Sequence, residues 1–176
     1  MGDPAARRRS NTQAMAKFWW DRGRCSLGRP VEAVIFSLDG VLDDPRLDAE
    51  MFAESVWALH CAGIRIAVVT GRGWLRIHRA IRDLLGDGAV EVLVTSDEAT
   101  APKPDPQAYR VALSDLGLRP EHVVAVEDST DGLRAARAAG LATVMVTTDL
   151  TRNDDFAGAM AVLPGYDGLL TARLTA

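Results

Sequence analysis

Lysine is nearly absent from this chain: of its 20 basic residues only two, Lys17 and Lys103, are lysines. Arginine serves everywhere else, so a lysine kept in the body of the chain points to a place that needs a compact ammonium rather than a planar fork. Cysteine is scarce as well. Cys25 and Cys61 cannot supply the framework of a disulfide-stapled domain, and a reducing, cytoplasmic setting is expected. His60, His78 and His122 are scattered and make no zinc-ligand spacing with the cysteines. No apolar run approaches the roughly 20 residues that span a bilayer, so no membrane association is expected. The arginine-rich start also lacks the apolar stretch of a secretory signal.

What is present suits a soluble globular protein. A length of 176 residues, 48% of them hydrophobic and 25% charged, is enough for one domain with a sizeable core. Charge is spread unevenly. Residues 1–29 carry seven basic groups against two acidic ones, a net of +5, which leaves −9 for residues 30–176. Residues 1–29 therefore read as a basic arm and linker, and residues 30–176 as the folded domain. The arm holds Phe18, Trp19 and Trp20 in a row. Three adjacent aromatics call for a surface to pack on, and a homo-oligomer clasped through the arm is the expected partner arrangement. Nucleic acid is not expected, since basic residues without a recognition fold carry little weight.

From Val31 onward two kinds of segment alternate. Apolar, β-branched runs at 31–37, 64–70, 90–95, 122–127 and 141–147 read as buried strands. Helical patterns lie between them at about 48–61, 73–85, 105–117 and 130–139. Gly63, Gly86, Gly117 and Gly140 stand at helix ends, where a left-handed cap is wanted. This alternation predicts an α/β fold, a doubly wound parallel sheet of about five strands with helices on both faces. A short sixth strand near 160–163 and a last helix near 167–174 complete the pattern.

Polar residues cluster at the carboxyl ends of the strands, where an open parallel sheet places its ligand. The first run ends in Ser37-Leu38-Asp39-Gly40, the second in Thr70-Gly71-Arg72-Gly73. Lys103 follows the third in APKPDP, and the fourth ends in Glu127-Asp128. Each has an ordinary reading alone: a helix cap, a loop charge or a solvated helix start. Together they hold what a phosphoryl site needs, namely a hydroxyl and a cation for phosphate oxygens, acidic groups for Mg²⁺ and an acid/base.

VIFSLDGVL, KPDPQAY and VEDSTDGLRAARAAG resemble the haloacid dehalogenase (HAD) superfamily, in its β-phosphoglucomutase-like and phosphoglycolate-phosphatase-like branch. The resemblance spans roughly residues 31–163 and implies a HAD-like Rossmannoid fold. Its first motif is usually Asp-x-Asp-Gly, so Ser37 stands where the family has its nucleophile. The resemblance implies that Asp39 is the general acid/base, with its backbone carbonyl on Mg²⁺. It further implies that Thr70, Gly71 and Lys103 hold the phosphoryl group. Asp128 would bind Mg²⁺ directly, and Glu127 directly or through water.

Two departures qualify these implications. Serine needs a base to act as a nucleophile. Its phosphate ester is stable where an acyl phosphate hydrolyses readily, and one anionic Mg²⁺ ligand is gone. Asp43 and Asp44 are the neighbours that could substitute. The second departure is length: from Asp39 to Thr70, and again from Thr70 to Lys103, there is room for one helix and one strand. No cap domain is therefore expected, and the open site would suit a phosphorylated small molecule, a macromolecule or a lid from another subunit. Three readings follow: a pocket for phosphate and Mg²⁺ with weak or absent turnover, an active Mg²⁺-dependent phosphatase or phosphotransferase using water or a substitute group, and a structural interaction module. A receiver domain also carries an acidic pocket on a parallel sheet, but its acidic pair follows the first strand and its lysine the last.

Overall fold

A computed structural model describes residues 29–43, 49–147, 151 and 154–169. Residues 1–28 of the expected arm, with Phe18, Trp19 and Trp20, and also Asp44 lie outside the described residues. The elements run β1 (Ala33–Ser37), α1 (Asp39–Asp43), α2 (Ala49–Cys61), β2 (Arg65–Val69), α3 (Trp74–Leu85), β3 (Val92–Val94), α4 (Gln107–Leu116), β4 (Val123–Glu127), α5 (Thr130–Ala138), β5 (Ala142–Val146) and β6 (Ala161–Leu163). All six strands are parallel, in the order β3-β2-β1-β4-β5-β6. No helix of the described residues is long and apolar enough to cross a membrane.

The strands are continuous apolar runs because both of their faces are covered. On one face Val34, Phe36, Ile66, Val68, Val124 and Val126 meet Phe52, Val56 and Leu59 of α2 and Ile77, Ile81 and Leu85 of α3. The opposite face mixes alanines with larger residues such as Ile35, Val69, Tyr109 and Leu113. Ala33, Ala67 and Ala125 meet Ala108 and Ala112 of α4 and Ala135 and Ala136 of α5. Neighbouring strands β1 and β4 connect to opposite sides of the sheet, and the crevice between their carboxyl ends is where such a fold presents a ligand site.

Several boundaries differ from the sequence expectation, each for a local reason. The third strand shortens to Val92–Val94 because Thr95 leaves the sheet to make a turn. There its backbone N–H and its hydroxyl both donate to Glu98 Oε2, at 2.8 and 2.5 Å. Helix α4 starts at Gln107 rather than 105, since Pro104 and Pro106 have no N–H and push the preceding residues out of helical conformation. Residues 166–169 form a 3-10 turn where the last helix was expected, and residues 170–174 lie outside the described residues. Helix α1 was not foreseen; five residues carry too little periodicity to announce it.

Gly63, Gly86, Gly117 and Gly140 all have positive φ, as their positions after helices require. Gly132, in the first turn of α5, is needed for a different reason: a Cβ there would lie 2.0 Å from the Glu127 carboxylate carbon. The two kinds of glycine should respond differently to alanine. Nothing lies within 4 Å of a Cβ at Gly63, so Gly63→Ala should cost only the left-handed backbone term, about 1 kcal/mol. Gly132→Ala should cost about 2–3 kcal/mol by overpacking a buried charge. Urea unfolding of the two variants measures the difference, and equal losses would mean that Glu127 moves aside freely.

Candidate functional site

Strand register assembles the site. Phe36 of β1 lies opposite Val126 of β4, so Ser37 and Glu127 end adjacent strands side by side. Ser37 lies opposite Val69 of β2, which sets Thr70 next in line. Lys103 arrives from the loop between β3 and α4.

Glu127 is the centre of the arrangement. Its side chain is 0% exposed, and a carboxylate buried that completely needs several donors to offset lost hydration. Oε1 accepts from Lys103 Nζ at 2.6 Å and from the Tyr109 hydroxyl at 2.5 Å. Oε2 accepts from the Asp128 N–H at 3.0 Å, the Ser129 N–H at 3.4 Å and the Ser129 hydroxyl at 3.2 Å. Ser129 in turn caps α5, its Oγ accepting from the Gly132 N–H at 3.1 Å. Burial and the adjacent Glu127 push the Tyr109 phenol well above its ordinary range, so it stays a donor. Both oxygens of Glu127, which the resemblance implies holds Mg²⁺ directly or through water, here accept from protein donors, Lys103 among them.

Lys103 Nζ also donates to Ser37 Oγ at 2.7 Å and lies 3.7 Å from Asp39 Oδ2. One ammonium thus faces three oxygens in three directions, which a point charge does and a planar guanidinium does not. Ser37 is 2% exposed. Among the described residues, the hydrogen bond at its Oγ comes from Lys103, which is a donor only.

Asp39, at the start of α1, fills the donors that the sequence assigned to a phosphoryl group. Its Oδ1 accepts from the Thr70 hydroxyl at 2.6 Å, and Oδ1 and Oδ2 accept from the Gly71 N–H at 3.2 and 3.1 Å. The Arg72 N–H donates to Thr70 Oγ1 at 3.2 Å, which completes that hydroxyl. A carboxylate therefore occupies an anion position built of Thr70, Gly71 and Lys103.

Asp128 sits against the backbone of Gly40. A Cβ at Gly40 would fall 1.2 Å from Asp128 Oδ2, so the Ser-Leu-Asp-Gly turn leaves room for this carboxyl only as glycine. Burial, then the negative charge of Glu127, push the Asp128 carboxyl up to about 7, against the pull of Lys103. Asp39 adds to the rise. The donor set thus has surplus negative charge, which suits a cation, although no three His, Cys, Asp or Glu side chains converge as a metal cluster among the described residues.

All seven residues singled out from the sequence therefore reach one sheet edge: Ser37, Asp39, Thr70, Gly71, Lys103, Glu127 and Asp128. Asp43 does not turn to Ser37. It is 69% exposed at the end of α1 and is ion-paired with Arg72. Tyr109 was missed as part of the site. The available signal was a tyrosine, one of two in the chain, inside an otherwise apolar helix face; a buried phenol needs a partner.

Comparison with known proteins agrees with this geometry. The family model for haloacid dehalogenase-like hydrolases matches residues 28–140. Protein CbbY of Cereibacter sphaeroides is 40% identical over 121 residues, 65% of this chain and 53% of that protein. Hexitol phosphatase A of Escherichia coli (strain K12) is 39% identical over 88 residues, covering 50% of this chain and 40% of that protein. The chain spans about half the length of the CbbY proteins it matches. A crystal structure of CbbY from Rhodobacter sphaeroides in complex with phosphate superposes with a TM-score of 0.66. The superposition covers 79% of this chain and 99% of that one at 24% identity, a likeness of fold. With the parallel sheet and the strand-end site, the family match places the chain in the haloacid dehalogenase-like hydrolase family.

Proposed function

We propose that this protein binds a phosphorylated ligand at the edge formed by Ser37, Asp39, Thr70, Gly71 and Lys103, with weak or absent phosphomonoester turnover. The observation that carries the reading is the Lys103–Ser37 hydrogen bond at 2.7 Å on a serine that is 2% exposed. The site keeps its cation, its hydroxyl and its backbone donor. What stands at the end of β1 is a hydroxyl whose hydrogen-bond partner among the described residues, Lys103, is a donor and not a base.

Binding would proceed by exchange. Phosphate oxygens replace the Asp39 carboxylate on the Thr70 hydroxyl and the Gly71 N–H, while Lys103 neutralises them from its fixed position. Asp39, so released, is the group placed to hold a proton near the ester oxygen. Attack by Ser37 would need its proton removed. Lys103 cannot accept it while donating to Glu127, and Asp43 is paired with Arg72. Asp128 and the Asp39 carbonyl are the groups to hold Mg²⁺, which when bound neutralises phosphoryl charge.

The connections support an open site. β1 reaches β2 through α1 and α2, and β2 reaches β3 through α3, so among the described residues no further element stands over the strand ends. A ligand there is a phosphorylated small molecule or a phosphate group on a larger one.

Turnover tests the first part. With p-nitrophenyl phosphate and Mg²⁺, the protein should be at least about a hundredfold slower than its Ser37→Asp variant, the scale of one lost catalytic group. Equal rates would show that chemistry bypasses residue 37.

Stability tests the second part. An acid whose folded pKa is raised binds its proton more tightly in the folded state, so between its ordinary value of 3.8 and about 7 the folded state holds the extra proton. Metal-free stability should therefore fall across that window as pH rises, by a few kcal/mol at most. Asp128→Asn should remove that fall, and Mg²⁺ should raise the melting temperature of the unmodified protein but not of the variant. Parallel pH curves, or equal Mg²⁺ shifts, would remove Asp128 from the cation's ligands.

A further inference from the structure

Lys103, Glu127 and Asp39 of the strand-end site are committed to one another, and a separate, more exposed ion pair stands at its rim. Arg72 stands between Gly71 and Gly73 in the turn after β2, and its guanidinium reaches across to Asp43 at the end of α1. That turn is anchored on several sides. The Gly71 N–H binds Asp39, and the Arg72 N–H binds Thr70 Oγ1 at 3.2 Å. The Arg72 carbonyl accepts from the Ser96 N–H at 3.1 Å, and Asp97 Oδ2 accepts from the Trp74 N–H at 2.8 Å. The Arg72 backbone is therefore fixed against the same hydroxyl that would hold a phosphoryl group.

The far end of the pair is held much less firmly. Arg72 is 32% exposed and Asp43 is 69% exposed, and an ion pair in such a position contributes little, because both partners hydrate well when separated. Asp43 is thus a replaceable anion on a cation whose backbone is not free to move. We infer that Arg72 is a specificity-determining residue that takes a second anionic group of the ligand, a carboxylate or a second phosphate, in exchange for Asp43. Arginine suits this task, since its fork meets two oxygens of a carboxylate or phosphate at once. The preferred ligands are then phosphomonoesters with a second acid on the same small molecule, and neutral alkyl phosphates are the poorer class.

The inference rests on the phosphate-binding reading of the site, and the two can be separated by one set of titrations. Calorimetry on the full chain, with and without Mg²⁺, would compare carboxymethyl, 2-carboxyethyl and 3-carboxypropyl phosphate with ethyl, propyl and butyl phosphate. At least one carboxylated ester should bind about tenfold more tightly than its neutral counterpart, the scale of one charge-assisted contact at a half-open rim. Arg72→Gln should bring that ratio close to one. Asp43→Asn should raise the affinity for the carboxylated ester about two- to fivefold, because the competing anion is gone. Binding of both classes with equal affinity, or a ratio that survives Arg72→Gln, overturns the role of Arg72 and leaves the phosphate site standing. No binding of any ester overturns both.

Discussion

A single buried carboxylate, that of Glu127, ties the functional edge of this protein together. It closes β4, accepts five hydrogen bonds, and has no exposed surface. Carboxylates are not removed from water without such compensation, and removing one partner of a buried ionic group costs about 3–5 kcal/mol. Its partners come from three pieces of the chain: Lys103 from the loop before α4, Tyr109 from α4, and Asp128 with Ser129 from the turn that caps α5. Gly132 must lack a side chain for the carboxylate to fit. The position of Lys103, and through it the environment of Ser37, follows from satisfying Glu127.

The same geometry explains the choice of lysine in a chain that otherwise uses arginine. Three oxygens surround Nζ, on Ser37, Glu127 and Asp39, at 2.7, 2.6 and 3.7 Å. They belong to two strand ends and a helix start, on three separate side chains rather than on one carboxylate that a fork would match. A tetrahedral ammonium can address them, and the Tyr109 ring, 5.8 Å from Nζ, lies beneath it. At the rim the opposite choice holds. Arg72 meets an exposed carboxylate, where burial sets no limit on the size of the cation.

The strands and helices were legible because their signals are local. Continuous Val, Ile and Ala runs mark strands covered on both faces, and the glycines at 63, 86, 117 and 140 mark where helices stop. The strand-end residues were legible from the resemblance, and the parallel topology then brought them to one edge. What could not be read were pairings between side chains distant in sequence. Tyr109 to Glu127 and Arg72 to Asp43 depend on register and on the path of two loops. The occupation of Thr70 and Gly71 by Asp39 was hidden for the same reason, since it requires knowing where a free carboxylate turns when no ligand competes.

If the strand-end site takes a phosphate as proposed, serine at position 37 has opposite consequences for holding it and for cleaving it. Asp39, Glu127 and Asp128 already crowd this edge with negative charge, as the raised carboxyl of Asp128 records. A fourth carboxylate at position 37 would add repulsion against its neighbours and against an incoming phosphate dianion, at separations of a few ångströms where screening is weak. A neutral hydroxyl removes that repulsion and can still donate its own proton to a phosphate oxygen, because Lys103 accepts nothing. Cleavage depends on the property that is lost, a nucleophile whose phosphorylated form hydrolyses readily. Among the described residues the candidate substitutes are engaged elsewhere: Lys103 is committed to Glu127 and Asp43 to Arg72. On the proposed reading, serine at this position suits a site that retains phosphate over one that turns it over.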